Sequence, residues 1–497
     1  MALQKAGSLW LAAHFELSNY RITHKSYIGT RDKIELAYDG SIEQTYGPKY
    51  APKKVTAIGH IEFMFKYDDL NLDLLVAVFR KLEEQELVNY INESPSGRYS
   101  RRIGYLYEWI TNRKLNITND IIGNYIDLLD TERYLTGKII KNARWRINDN
   151  LLGIQEFCPI IRKTQSLKML LTKDIRTEIE GLKNDYSPEI FQRASQYLYR
   201  KETRSSYEIE SEKPSLDRVD RFITILYQAG KEPFSDVMAE ENLTILQNAI
   251  VDPRYAQPGF RDFQNYIGQT NYRGEEIYHY ICPPPTMVDS MMKGLTATEE
   301  KTLGTPEIVR AAIIAFGFVF IHPFEDGNGR IHRFLIHDML TRDGLLGQGM
   351  IIPISAHMLQ NMAEYDTVLE DYSKPLIQRV RFNISESGDL SIDNTDDISS
   401  YFRYPDLTMQ SEYLAKTIFS TIQQDLFEEL FFLERYDELK KKLQHLIDMP
   451  DKRLSDVIMY LHQNKGVFPN RRKKQFEEIT EVEFEAIESI YSAVFSR

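Results

Sequence analysis

Within residues 322–333, HPFEDGNGRIHR, the chain brings together residue types that serve one kind of chemistry. Gly327, Asn328 and Gly329 form a glycine-rich turn running into a helix start, which aims several backbone N–H groups at one point at the positive end of the helix dipole. Arg330 and Arg333, three apart, share a helix face and could reach the distal oxygens of a polyphosphate held there. Asp326 is a hard oxygen ligand suited to magnesium, which usually takes one or two carboxylates plus phosphate oxygens. His322 is the nearby group that could take a proton at neutral pH. A base, a metal ligand, an anion cradle and a charge clamp have no packing reason to coincide in so short a stretch.

These residues need two helices to position them. Thr305, Pro306 and Glu307 form a helix start with a capping hydroxyl, a proline at the first helical position and an acid in the first turn. The helix that follows is apolar nearly all round and is expected in a core. Its longest apolar run, Ala311 to Ile321, is too short to span a bilayer, which takes roughly 18 to 20 residues. Pro323 and the glycines force a loop, and a second helix is expected from near Arg330 to Gly344. Upstream, Asp252 to Pro285 is rich in Gly, Pro and aromatic residues and reads as a hairpin or extended flap with a strand from Ile277 to Ile281.

HPFEDGNGRIHR matches every defined position of the HPFx(D/E)GNGRxxR signature and so resembles the Fic (filamentation induced by cyclic AMP) family. PGFRDFQNYIG from Pro258 and YICPPP from Tyr280 are similar to the segments that lead into and out of that family's target-binding flap, and the resemblance covers about residues 170–380. It implies a protein adenylyltransferase that moves AMP from ATP to a Ser, Thr or Tyr hydroxyl of a protein. It gives His322 the role of base, Asp326 that of the Mg2+ ligand, Gly327, Asn328 and Gly329 the phosphate cradle, and Arg330 and Arg333 the outer phosphates. In the flap, Ile277, Tyr278 and His279 are the candidates for holding a target segment, with Ile277, His279 and Ile281 on one face. Phe324 reads as a core anchor, as does Tyr365. Spacing does not put His279, His332 and His337 on one helical face, and no zinc site is expected.

Many members of the family carry an inhibitory helix with the pattern (S/T)xxxE(G/N). Ser206 and Glu210 fill its first two positions here, and Ser211 stands where Gly or Asn is usual. The resemblance thus implies an autoinhibited enzyme in which Glu210 pairs with Arg333. The motif leaves other readings open: removal of AMP, transfer of another nucleotide or of phosphocholine, or a non-catalytic nucleotide sensor that binds DNA or protein. Self-modification and a homodimer stay open too.

The rest of the 497-residue chain sets the frame. A net charge of −12 argues against general nucleic-acid or anionic-membrane binding, and 42% hydrophobic with 27% charged residues is a globular composition. Cys158 and Cys282 are too few for a disulfide framework, and with no signal-peptide pattern at the start a cytoplasmic protein is expected. The expected fold is mainly α: a helical core with a small β-hairpin flap between α-rich flanking domains. The expected domains are 1–165, 166–395 (inhibitory helix about 200–212, flap about 268–282, motif 322–333) and 396–497. Leu70 to Asn92 has a helical pattern, and SPSGRYSRR is a turn with a solvated basic cluster. A helical series over 166–250 is expected to break at KETRSSYEIESEKPS. RVRFNISESGDLSIDN could form a hairpin, the acidic, Ser-rich stretch to Ser400 reads as a linker, and the basic run Arg471 to Lys474 as solvated surface.

Overall fold

In the computed structural model, which describes residues 3–38 and 40–495, the apolar run becomes the helix Glu307–Ile321, buried along its whole length. It starts one residue later than expected: Pro306 is the N-cap, with no side-chain cap, and the Thr305 hydroxyl donates instead to the Thr136 carbonyl at 3.4 Å. The second helix, Asn328–Arg342, packs back along the first, and both are almost fully buried because each is covered on several sides. Pro285–Lys301 packs on the first helix, and Glu240–Ile250 and Leu216–Leu226 on the second. The chain is mainly α-helical with four small sheets among the described residues.

The chain divides into two compact units. The larger comprises residues up to Lys173, Thr203–Gln348 and Met358–Thr417; the smaller comprises Asp174–Glu202, Gly349–His357 and the chain from Ile418 onward. These limits differ from the expected cuts near 165 and 395. The first 173 residues share the larger unit with the motif, and the stretch expected as a linker is folded into it. Thr395–Arg403 is a helix with Asp396 and Asp397 in its first turn, where the dipole favours acids, and with Ile398 and Phe402 buried; the Ser400 hydroxyl donates to buried Asp73 at 2.6 Å. Acidic composition there is helix-start chemistry. Asp73 also pairs with Arg379 at 2.5 Å, both side chains buried.

The N-terminal part of the larger unit is less purely helical than expected. A four-stranded sheet places Gln4–Ala6 antiparallel to His24–Ile28, which runs parallel to Ile42–Tyr46, with Lys33–Leu36 on the far edge. The Leu70 to Asn92 pattern is two helices, Leu72–Lys81 and Glu84–Glu93. The basic cluster of SPSGRYSRR is solvated only at Arg98: Arg101 and Arg102 are buried on the helix Arg98–Thr111 and donate to the carbonyls of Asn124 and Asp127. That helix packs so tightly on Trp145 that a Cβ at Gly104 would lie 2.1 Å from the indole. The expected hairpin after Arg379 is present as Phe382–Ile384 paired with Leu390–Ile392.

In the smaller unit the helices Phe427–Leu446, Asp451–Gln463 and Glu481–Phe495 enclose a core that includes Leu443, Ile458, Phe468 and Ile487. Lys473 of the basic run pairs with Glu481 at 2.5 Å. No helix among the described residues is long and apolar enough to cross a membrane.

Gly104→Ala is expected to lower stability by about 1–3 kcal/mol through overpacking. Thermal unfolding followed by tryptophan fluorescence checks this, and an unchanged Tm would contradict the contact.

Candidate active site

The loop between the two buried helices is held by its own side chains. Asn328 accepts from the Phe324 N–H at 3.1 Å through Oδ1 and donates to the Phe324 carbonyl at 2.8 Å through Nδ2, knotting the turn closed. Phe324 is fully buried as the anchor the sequence suggested, edge-on to Phe260. Gly327 is the helix N-cap with φ +91°, a conformation glycine takes without steric cost, and a Cβ there would crowd Val251 at 3.0 Å. With no side-chain cap at Gly327, the N–H groups of the first turn face the place where an anion would sit.

Arg330 follows on this turn and Arg333 on the next, and both are essentially buried. Two guanidiniums at the positive end of a helix require negative partners, and one short segment supplies most of them. The helix Pro188–Ile209 ends inside the polar stretch where a break was expected, before Pro214, and it ends in a Schellman turn: the Glu212 N–H bonds the Tyr207 carbonyl and the Ser211 N–H the Glu208 carbonyl. Ser211 is the left-handed residue of that turn, φ +57°, which explains why Gly or Asn suits the position. The turn throws Glu210 and Glu212 onto the two arginines. Arg333 donates to the Ser206 hydroxyl at 2.7 Å, the Ser206 carbonyl at 2.8 Å and Glu210 Oε1 at 2.7 Å. Arg330 lies 3.0 Å from the Glu212 carboxylate and donates to Asp326 Oδ1 at 2.6 Å. Arg218 also grips Glu212, at 2.6 Å, and the two arginines approach the Tyr207 ring. The Glu210 carboxylate lies against the glycine turn itself, since a Cβ on Gly329 would meet Glu210 Oε1 at 2.1 Å.

His322 closes the preceding helix in the left-handed region, φ +54°, and is buried. Its Nδ1 is 3.1 Å from the Val319 carbonyl, which can only accept, so Nδ1 carries the proton and Nε2 keeps its lone pair. Burial, with the nearby positive charge of Arg261 adding to it, pushes the imidazole down to about 4, so it is neutral, with the Nε2 lone pair free, across the physiological range. Arg261 donates to the His322 carbonyl at 2.8 Å.

Asp326 accepts from the Gly327 N–H at 2.5 Å through Oδ1, and its side chain is 31% exposed. One partly exposed carboxylate beside an anion cradle fits magnesium, which is usually held by one or two carboxylates together with substrate phosphates. No group of three or more His, Cys, Asp or Glu residues able to hold a metal occurs among the described residues.

The flap is the antiparallel hairpin Tyr266–Thr270 and Glu276–Ile281, with a register shift between Ile267 and Gly268. Ile277 and His279 are exposed along it, whereas Ile281 is fully buried and cannot touch a target. Tyr278 is half-buried, edge-on to Tyr266 and Phe382. The hairpin's foot is tied to the motif loop where Asn265 donates to the Phe324 and Glu325 carbonyls, both at 3.3 Å. Tyr365 and His332 stack in the core behind the motif. Glu212, Arg218 and Arg261 are given no role by the sequence, although Glu212 stands in KETRSSYEIESEKPS two residues past Glu210 and Arg261 in PGFRDFQNYIG.

Residues 239–340 match the Fic/DOC family model. A probable protein adenylyltransferase of Aquifex aeolicus (strain VF5) is 27% identical over 171 residues, covering 30% of this chain and 50% of that protein. The protein adenylyltransferase fic-1 of Caenorhabditis briggsae is 31% identical over 153 residues, covering 30% of this chain and 26% of that protein. The chain therefore spans half or less of the length of these relatives. A Fic family protein from Desulfovibrio desulfuricans G20 aligns in structure with a TM-score of 0.37 at 18% identity, over 54% of this chain and 75% of that one.

Ser211→Gly is expected to relieve the left-handed strain and raise stability by up to about 1 kcal/mol, or on the order of 2 °C in Tm, whereas Ser211→Val lowers it. Thermal melts of the two variants against wild type check the sign.

Proposed function

From the Fic domain that residues 239–340 form, we propose that the chain is a protein adenylyltransferase, transferring AMP from ATP to a Ser, Thr or Tyr hydroxyl of a protein under inhibition by Glu210. The observation that carries this reading is the pair of buried arginines at a glycine-lined helix start, with a neutral His322 on the same loop. His322 Nε2 takes the proton of the incoming hydroxyl, whose oxygen bonds to the α-phosphorus as the bond to the bridging α–β oxygen breaks and pyrophosphate leaves. The backbone from Gly327 to Gly329 receives the charge growing on the α-phosphate, and Arg330 and Arg333 orient the outer phosphates. Asp326 would hold Mg2+, which supplies charge neutralisation on the phosphates. Ile277 and His279 are the flap residues we assign to the target.

Inhibition follows from the same anion requirement. The Glu210 carboxylate sits on Arg333 and against Gly329, where a phosphate has to seat. A hydrogen bond to a charged group contributes roughly 1.5–3 kcal/mol, and about 1.4 kcal/mol is tenfold in rate or affinity. Glu210→Gly should therefore raise transfer by roughly 10-fold to 100-fold. Wild type, Glu210→Gly and Glu210→Gly/His322→Ala are incubated with magnesium and ATP labelled at the α or the γ position, and protein-bound label is followed. Label from the α position alone, strongest in Glu210→Gly and absent in the double variant, is the expected result. Equal labelling of wild type and Glu210→Gly would remove the inhibitory role, and no label from either ATP would remove the transferase reading.

The pH dependence follows from His322. Folded, it titrates near 4 against an ordinary value of 6.5, so transfer by Glu210→Gly should stay level as pH falls through 6.5 and decline only toward 4. Between those values the unfolded chain binds the extra proton, so His322 makes stability fall as pH drops from 6.5. A rate profile with its midpoint at 6.5 would contradict the burial argument.

A further inference from the structure

Arg261 is buried, and every hydrogen-bond partner recorded for it is a backbone carbonyl. Its Nε donates to His322 at 2.8 Å, Nη1 to Phe263 at 2.9 Å, and Nη2 to Pro283 at 2.7 Å and to Ile321 at 3.4 Å. Its own N–H bonds the Pro323 carbonyl at 2.9 Å. These acceptors belong to three places in the chain. Ile321 and His322 end the buried helix, whose last carbonyls lack intrahelical donors and carry the negative end of the dipole. Phe263 precedes the first strand of the hairpin, and Pro283 follows the second. One planar fork with fixed donor directions therefore joins the backbone of the base to both feet of the flap.

We propose that Arg261 is a positioning residue for AMP transfer: it fixes the His322 backbone and both ends of the hairpin in one register, so that the base and a hydroxyl on a flap-bound segment meet. This rests on the function proposed above. None of the partners of Arg261 belongs to the cradle Gly327–Gly329, and that turn and its arginines have other supports: Gln247 donates to the Asp326 carbonyl at 3.1 Å, Asn328 holds Phe324, Arg330 pairs with Asp326 and Arg333 with Ser206. Loss of Arg261 should accordingly cost turnover and leave nucleotide binding in place. Lysine cannot replace it, because one ammonium cannot reach carbonyls on three segments in the directions the fork does.

The test uses the full chain in the Glu210→Gly background with Arg261→Lys and Arg261→Met. The expected result for both is a fall in kcat of about 100-fold, as a misplacement near 1 Å produces, with KM for ATP within about 3-fold of the parent. A raised KM at unchanged kcat, or full activity in Arg261→Lys, would overturn the proposal. If the Glu210→Gly parent transfers no AMP, the functional reading has failed, and hydrogen exchange decides the joint separately. Arg261→Lys should then speed exchange in residues 263–267 and 321–327 together while Asn328–Arg342 stays protected. Faster exchange in one segment only, or in neither, would overturn the joint. Should Arg261→Met not fold, Arg261→Lys carries both measurements.

Discussion

Two buried guanidiniums at the positive end of a helix are the constraint from which the rest of the site follows. Arg330 and Arg333 are almost wholly removed from water on the first two turns of Asn328–Arg342, close to its positive end. A buried charge left unpaired costs about 3–5 kcal/mol, so the site must always hold anions. Asp326, Glu210 and Glu212 supply them here, and the phosphates of a nucleotide are the same chemistry in a mobile form. On the proposed function, inhibition and substrate binding are two ways of satisfying one electrostatic demand, which would exclude each other because Glu210 lies against Gly329.

The supply of those carboxylates depends on a turn rather than on a helix face. Ser206 lies on the last turns of Pro188–Ile209, but Glu210 is the residue at which the helix ends, and Ser211 reverses the chain so that Glu212 reaches the other arginine. A left-handed serine is tolerated because the flanking side chains are fixed by Arg333 on one side and by Arg330 and Arg218 on the other. The geometry ties the placement of Glu210 to that of Glu212.

Sequence alone carried the site as far as its residues are contiguous. HPFEDGNGRIHR offers a candidate base, cradle and clamp because each proposed role needs a particular side chain at a particular spacing. Arg261 stands in PGFRDFQNYIG, but its contacts were not legible, since its partners are backbone carbonyls, which carry no residue signature, spread over Phe263, Pro283 and the Ile321–His322 pair. Glu212 was hidden because its importance depends on the direction of a turn. Composition misled where burial overrode it: Arg101 and Arg102 sit in the core on carbonyl partners, and the acids before Ser400 begin a helix. Ile281 was assigned to the target face by strand alternation, yet the sheet's inner end is buried. The hairpin and the two central helices were legible because their periodicity and turn residues agree.

Competition between the Glu210 carboxylate and phosphate for the buried arginines is tested most directly by calorimetric titration of magnesium–ATP into wild type and Glu210→Gln, which removes the charge and keeps the shape. The account predicts affinity about 10-fold tighter for Glu210→Gln, since Arg333 then lacks its resident anion while Arg330 keeps Asp326 and Glu212. Equal or weaker affinity in the variant would contradict it.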